Sequence, residues 1–283
     1  MAVFALVPHR HRAESADLVV SAATWLEARG HEVRVPADDA QSAHRRWAWP
    51  EADLSAGLDL AVSLGGDGTM LHVVQLVCEA DVPVLGVNVG HLGYLTTVEP
   101  PNLLDALDRF LAGAFQIERR MMLQVVVECR DGEAAHATAL NEAVLEKTAS
   151  GNTVQLAIRI NDRPFTTTAA DGMIVATPTG STAYNLSARG PIVSPRHRAI
   201  VLTPVSPHML FDRSLVLEPD EVVELEVLDG RPAMLVVDGR NLATLAPTDK
   251  VRIGQAKHDA HLVTFDGRDF HQILKAKFKL ADR

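Results

Sequence analysis

The run Ser63-Leu64-Gly65-Gly66-Asp67-Gly68-Thr69 places one carboxylate among three glycines, between an apolar stretch and an amphipathic one. Glycines let a backbone turn sharply and approach a ligand, and the free N–H groups of a helix start attract phosphate. Asp67 is itself an anion, so it is poorly suited to hold that phosphate. It suits a group that takes a proton from, or hydrogen-bonds, a hydroxyl lying beside it.

A second run, Asp171-Gly172-Met173-Ile174-Val175-Ala176-Thr177-Pro178-Thr179-Gly180-Ser181-Thr182-Ala183-Tyr184-Asn185, leads a buried strand into a loop rich in hydroxyls and then a helix start. Helix caps account for two such hydroxyls. The others, with a tyrosine nearby, suit a nucleoside through hydrogen bonds and stacking. Asn141-Glu142 interrupts an apolar strand with two polar residues. Strand alternation allows one of them to face outward, but a buried amide or carboxylate needs partners, and the hydroxyl pair of a ribose would serve. The glycine-rich run Gly86–Gly93 lacks the Gly-x-Gly-x-x-Gly spacing of dinucleotide-binding turns and reads equally well as a plain turn. His258 and His261 lack acidic or cysteine company, so they read as surface residues rather than metal ligands.

The elements that must position these groups follow from periodicity. Leu58–Leu64 reads as a buried strand, and Met70, Leu71, Val73, Val74 and Val77 recur at helical spacing after the glycines. Upstream, Val3–Val7 is a strand, and Ser15 caps a helix whose Leu18, Ala22, Trp25 and Leu26 share a face and whose stop signal is Gly30. Val33–Val35 is a strand, and the aperiodic segment Asp38–Ala56 reads as a mobile flap. Val84–Val87 is another strand, and Pro101 opens a helix. This alternation predicts a parallel sheet covered by helices.

Beyond Gly113 the character changes to short strands with tight-turn signals, Asp131-Gly132 and Asp229-Gly230 among them, with one helix near Ser181 and a last helix over Phe270–Leu280. The expected fold is an α/β domain with a Rossmann-like parallel sheet over residues 1–115, and an all-β sandwich over 116–265, α+β overall.

Composition narrows the function classes. The chain has 283 residues, 47% apolar, with a net charge of −9, and the cluster His9-Arg10-His11-Arg12 falls short of a basic patch and reads as a solvated loop. Nucleic acid and anionic membrane are therefore disfavoured as partners. Two isolated cysteines, Cys78 and Cys129, and no apolar run long enough to span a bilayer point to a reduced, cytoplasmic protein.

Taken together, Leu64–Leu71, Gly86–Thr96, Leu140–Val144, Asp171–Ser187 and Val237–Gly239 resemble the bacterial NAD kinases over nearly the full chain. The glycine-aspartate run alone is shared with phosphofructokinases and lipid kinases, whereas its conjunction with Asn-Glu and the threonine-rich run is specific. A lipid or sugar kinase sharing only the first loop, and a non-catalytic dinucleotide sensor, are the rival readings. The resemblance implies phosphorylation of the adenosine 2′-hydroxyl of NAD to NADP, with ATP or polyphosphate as donor and a divalent metal such as Mg²⁺ carried mainly by substrate phosphates. It also implies a final helix, within 266–283, that packs back on the first domain, and a homotetramer or homodimer. Residue by residue, Asp67 matches the proton acceptor and Gly68 lies beside it. His72 falls where a basic residue stands near the phosphates. Asn141 and Glu142 match the ribose pair, and Asp171 the acid ahead of the threonine-rich run. Thr182, Ala183, Tyr184, Asn185, Leu186 and Ser187 match the adenine-pocket segment, and Asn152 and Arg240 match further dinucleotide contacts. The sequence departs from the family at Arg189, where a second glycine is common, and at Arg240, where glutamine is common.

Overall fold

The structure, a computed structural model, describes residues 1–40, 42–129, 134–149, 152–209, 212–228, 231–265 and 269–280. Its contacts divide the chain into two units, Met1–Arg119 with Ala260–Arg283, and Arg120–Asp259.

The first unit opens with β1 (Val3–Pro8), α1 (Ala13–Glu27), β2 (Glu32–Pro36), β3 (Ala48–Trp49), β4 (Leu60–Gly65), α2 (Asp67–Val77), β5 (Val84–Asn88), α3 (Leu103–Leu111) and β6 (Gln116–Arg120). β1 pairs in parallel with β2 on one side and β4 on the other, and β4 pairs in parallel with β5. Strands covered on both faces read as near-continuous apolar runs, and every residue of β4 is buried, Ser63 among them. The strand order reverses at β1, so the loops leaving β1 and β4 emerge side by side. The N–H of His9 bonds the Leu64 carbonyl at 2.9 Å there.

Two local expectations are corrected. α1 begins at Ala13, with Arg12 at its N-cap, so Ser15 is a buried residue of the first turn and not the cap. Its buried face is Ser15, Val19, Ala22, Ala23 and Leu26, with Leu18 and Trp25 at the flanks. The segment Asp38–Ala56, read from its aperiodicity as a mobile flap, has regular structure in part. It contains 3₁₀ turns at Ser42–Trp47 and Glu51–Asp53 and buries Asp39, His44, Trp47 and Leu54. Single anchors hold it, such as Trp47 Nε1 donating to Glu27 at 2.8 Å, and single anchors leave no periodic signature in sequence.

The second unit contains β7 (Leu123–Glu128), β8 (Ala134–Ala139), β9 (Glu142–Lys147), β10 (Val154–Ile160), β11 (Arg163–Ala170), β12 (Gly172–Ala176), α4 (Tyr184–Ser187), β13 (Ile200–Val205), β14 (Leu215–Leu217), β15 (Val223–Val227), β16 (Ala233–Val237), β17 (Arg240–Leu245) and β18 (Lys250–Gln255). They form two six-stranded sheets, ordered β11-β10-β15-β18-β7-β8 and β14-β13-β12-β9-β16-β17. The pairs are antiparallel, for example β7 with β18 and β9 with β12. Inward residues of both sheets, including Leu123, Val125, Leu145, Leu156, Leu225 and Leu235, make one core. Such two-faced packing is what period-two strands demand. The apolar stretch His136–Leu145 is two strands, not one, because Leu140-Asn141 carries the chain from one sheet to the other. The Asp131-Gly132 and Asp229-Gly230 turns lie outside the described residues.

The chain rejoins the first unit with β19 (Ala260–Thr264) and α5 (Phe270–Phe278), giving the seven-stranded order β3-β2-β1-β4-β5-β19-β6. One lysine of α5, Lys277, sets its ammonium 4.3 Å from the centre of the Tyr94 ring, a cation–π contact.

The helix expected near Ser181 is only a 3₁₀ turn, Gly180–Thr182, followed by the single turn α4. Arg189 ends it with φ of 65°, in the left-handed region. A side chain there costs about 1–2 kcal/mol, which glycine avoids at some cost in chain entropy. Arg189→Gly is therefore expected to raise stability by roughly 0.5–1 kcal/mol, read as a higher urea midpoint at unchanged slope.

Candidate active site

Asp67 is the first residue of α2, with Gly66 at the N-cap. Its Oδ2 accepts the N–H of Tyr94 and its Oδ1 the N–H of Leu95, both at 2.9 Å. A carboxylate has about four acceptor positions, so two amides fix its plane and leave others for an incoming hydroxyl. The run that supplies the amides is itself pinned, the Val89 N–H bonding the Gly65 carbonyl at 2.9 Å and the Asn88 N–H the Val98 carbonyl at 2.7 Å. Gly93 lies so near that a Cβ there would overlap the Asp67 carboxylate and approach Thr96 Oγ1 to 2.8 Å. The run Gly86–Gly93, with the Tyr94 and Leu95 amides that follow it, is thus more than a turn: together they cradle the acid. Gly68 is exposed beside Asp67, with open space where a side chain would stand.

His72, further along α2, turns its Nε2 to Asp39 Oδ2 at 3.1 Å, and Arg10 binds the other Asp39 oxygen. Burial would raise the Asp39 carboxyl, but hydrogen bonds from His72 and Arg10 outweigh it and hold the group below the usual carboxylate range. The loop after β1 is therefore not simply solvated. Arg10 neutralises a buried acid, and Arg12 donates to the Val89 carbonyl.

In the second unit Asn141 and Glu142 stand where the chain changes sheets. Asp238, at the β16–β17 turn, accepts the N–H groups of Leu140, Asn141 and Glu142 at 2.8, 2.8 and 3.1 Å. A buried acid with three amide donors satisfies the very groups that leave the ladder at that crossing. Sequence reasoning placed Asp238 in the Val237–Gly239 segment of the family resemblance but gave it no role, although its Asp-Gly turn signal was there to read. Glu142 is 7% exposed, and burial, with the Asp238 charge beside it, pushes its carboxyl up to about 8, partly offset by the Tyr184 N–H. At neutral pH it is a protonated acid that can donate a hydrogen bond as well as accept one.

The remaining candidates gather less tightly. Tyr184 is exposed, at 37%, and the partial burial that remains, then the nearby Glu146, Asp171 and Glu142 charges, raise its phenol. Asp171 pairs with Lys147 Nζ at 2.6 Å. Asn185 is fully buried, its amide donating to the Ser181 and Pro191 carbonyls while its oxygen accepts from Thr203 Oγ1 at 2.7 Å, so it ties α4 to β13. Thr182, Ala183 and Leu186 are partly exposed and Ser187 exposed along the same turn. Thr182 Oγ1 donates to the Thr179 carbonyl at 3.3 Å. Asn152 is exposed ahead of β10, and Arg240 is exposed at the start of β17.

Glu142 yields a stability test. The folded protein keeps its proton up to about pH 8, while the unfolded chain releases it near 4.5. The unfolded state thus binds fewer protons between those values, and stability falls as pH rises through that window. Glu142→Gln has no proton to lose, so its melting temperature between pH 5 and 9 should decline less than that of the unaltered chain.

Comparison with known proteins bears on these two units separately. Residues 4–115 match the family described as ATP-NAD kinase N-terminal domain, and residues 140–265 match the ATP-NAD kinase C-terminal domain. An NAD kinase of Symbiobacterium thermophilum is 42% identical over 89% of this chain and 90% of its own. One of Trichlorobacter lovleyi is 36% identical over 100% of this chain and 99% of its own. Among solved structures, yeast NADH kinase complexed with NADH is similar at a TM-score of 0.92 and 26% identity, over 100% of this chain and 89% of that one. No helix among the described residues is long and apolar enough to cross a membrane. Matches to both domains of one family, and relatives sharing more than a third of their residues almost end to end, make this chain a member of the NAD kinase family.

Proposed function

We propose that the chain transfers the terminal phosphoryl group of ATP, or of inorganic polyphosphate, to the adenosine 2′-hydroxyl of NAD, giving NADP. The observation that carries this reading is the Asp67 carboxylate, fixed by two backbone amides at the start of α2. Such transfer asks little covalent help of a protein; positioning, charge stabilisation and removal of one proton suffice. The 2′-oxygen attacks the terminal phosphorus, the bond to the leaving phosphate breaks, and Asp67 accepts or orients the hydroxyl proton. Amides at the start of α2, beside the exposed backbone of Gly68, favour the donor's phosphates.

On this reading Asn141 and the protonated Glu142 hydrogen-bond a ribose, and Thr182 to Ser187, with the Tyr184 ring, receive the adenine. Asp171, Asn152, His72 and Arg240 serve as outer contacts to the dinucleotide. The NADH-bound yeast relative supports a dinucleotide as the ligand. Among the described residues no group of three or more His, Cys, Asp or Glu is placed to hold a metal ion. On this reading a Mg²⁺ ion would arrive on the donor's phosphates, screening their charge. A homo-oligomer in the cytoplasm, dimeric or tetrameric, completes the reading. The rival lipid or sugar kinase leaves the match to the C-terminal NAD kinase domain without explanation.

A steady-state assay crossing ATP and polyphosphate with NAD and NADH tests the reading, and absence of NADP with both donors would refute it. Asp67→Asn should lower turnover by about 10²–10⁴-fold, the usual share of a general base, with NAD affinity changed only a few-fold. Its melting temperature should also drop slightly, because an Asn amide can accept from only one of the Tyr94 and Leu95 N–H groups. Gly93→Ala leaves every reacting group in place but displaces the carboxylate. It should cost roughly 100-fold in turnover, as displacements near 1 Å do, and near-normal rates would show that the cradle is not needed.

A further inference from the structure

The loop after β1 holds a charge that neither the core nor the chemistry above uses. Arg10 is matched by Asp39. Arg12 is different: its Nη1 donates to the Val89 carbonyl, and its guanidinium lies against Gly90, where a Cβ would overlap it. It pairs with no carboxylate among the described residues. A neutral carbonyl aims the group without cancelling its charge, and an Arg fork has five donors, so others stay available.

Its surroundings say what that charge is for. Val89 and Gly90 begin the same run whose Tyr94 and Leu95 amides fix Asp67. That run leaves room for Arg12 at Gly90 and for Asp67 at Gly93. The loop carrying Arg12 starts beside the Gly65-Gly66 turn, because the His9 N–H bonds the Leu64 carbonyl. The sheet order reverses between these strands, and in open parallel sheets ligands settle outside the strand ends at such a reversal. An unmatched guanidinium and a fixed carboxylate, both held against the one loop that follows β5, answer the two needs of phosphoryl transfer, a cation for the phosphates and an acceptor for the proton.

We propose that Arg12 binds the phosphate donor, its guanidinium gripping the terminal phosphates of a polyphosphate chain while the Val89 carbonyl fixes its direction. The chemistry is shared by ATP and inorganic polyphosphate, since the contact is to phosphate oxygens and not to a base. An Arg fork suits two such oxygens at once, which a lysine ammonium cannot match. The proposal rests on the NAD kinase reading.

The test varies each donor at saturating NAD, and then NAD at saturating donor, for the unaltered chain, Arg12→Ala and Arg12→Lys. Donor KM should rise about 10- to 100-fold in Arg12→Ala for ATP and polyphosphate alike, the range for a lost hydrogen bond to a charged group. NAD KM should stay within about twofold, and Arg12→Lys should recover part of the loss because it keeps the charge but not the fork. An unchanged donor KM with a lower kcat and melting temperature would make Arg12 a mere strap between loops and overturn the proposal. So would a rise confined to NAD, or one confined to ATP. Should Arg12→Ala fail to fold, Arg12→Gln keeps a donor for Val89 and reads the same quantity. ATP binding by calorimetry without acceptor separates the two failures. Weaker ATP binding in the variants upholds Arg12 even if NAD is not the acceptor, and equal binding refutes it even if NADP forms.

Discussion

One interaction organises the catalytic half of this molecule: the Asp67 carboxylate gripped by the Tyr94 and Leu95 amides. A side chain at the first position of a helix can rotate freely, and a freely rotating acid is a poor partner for a hydroxyl that must be met at one angle. Two amides from a separate loop remove that freedom. The loop can do so only because it is itself tied to the Gly65 and Val98 backbone and because position 93 carries no side chain. Those ties depend in turn on β4 and β5 lying in parallel register, which the buried apolar strands enforce. A requirement for correct geometry at one carboxylate thus propagates into the layout of the first sheet.

The second unit treats its acids by contrast. Asp238 receives three backbone amides where the chain crosses between sheets. Glu142, a neighbour in the same corner, is buried with one backbone donor, that of Tyr184, and so is pushed toward its neutral form. Two carboxyls brought close in a desolvated corner cannot both be charged cheaply, and the one with fewer donors keeps its proton. The result is one structural anion and one protonated group able to face a ligand.

Much of this was legible in the residues. The apolar run into Gly-Gly-Asp-Gly identified a strand, a loop and a helix start, because each carries a local signal of periodicity or turn chemistry. Short strands after Gly113 likewise announced a sandwich. What stayed hidden was held by contacts between distant residues. Nothing local marks Tyr94 as the donor to Asp67, Asp238 as the partner of Leu140, or Arg10 as the partner of Asp39. Aperiodic 38–56 carried no signal of its 3₁₀ turns because Trp47 and His44 anchor it singly. The shortness of α4 followed from Arg189 in a left-handed conformation, which its side chain gives no reason to expect.

The most direct test of the central claim is a crystal structure with NAD and a non-hydrolysable ATP analogue bound together. The account predicts an Asp67 oxygen within hydrogen-bond reach of the adenosine 2′-oxygen, about 2.6–3.2 Å, with the Tyr94 and Leu95 amides still on the same carboxylate. A 2′-hydroxyl bonded to some other side chain, with Asp67 turned elsewhere, would contradict it.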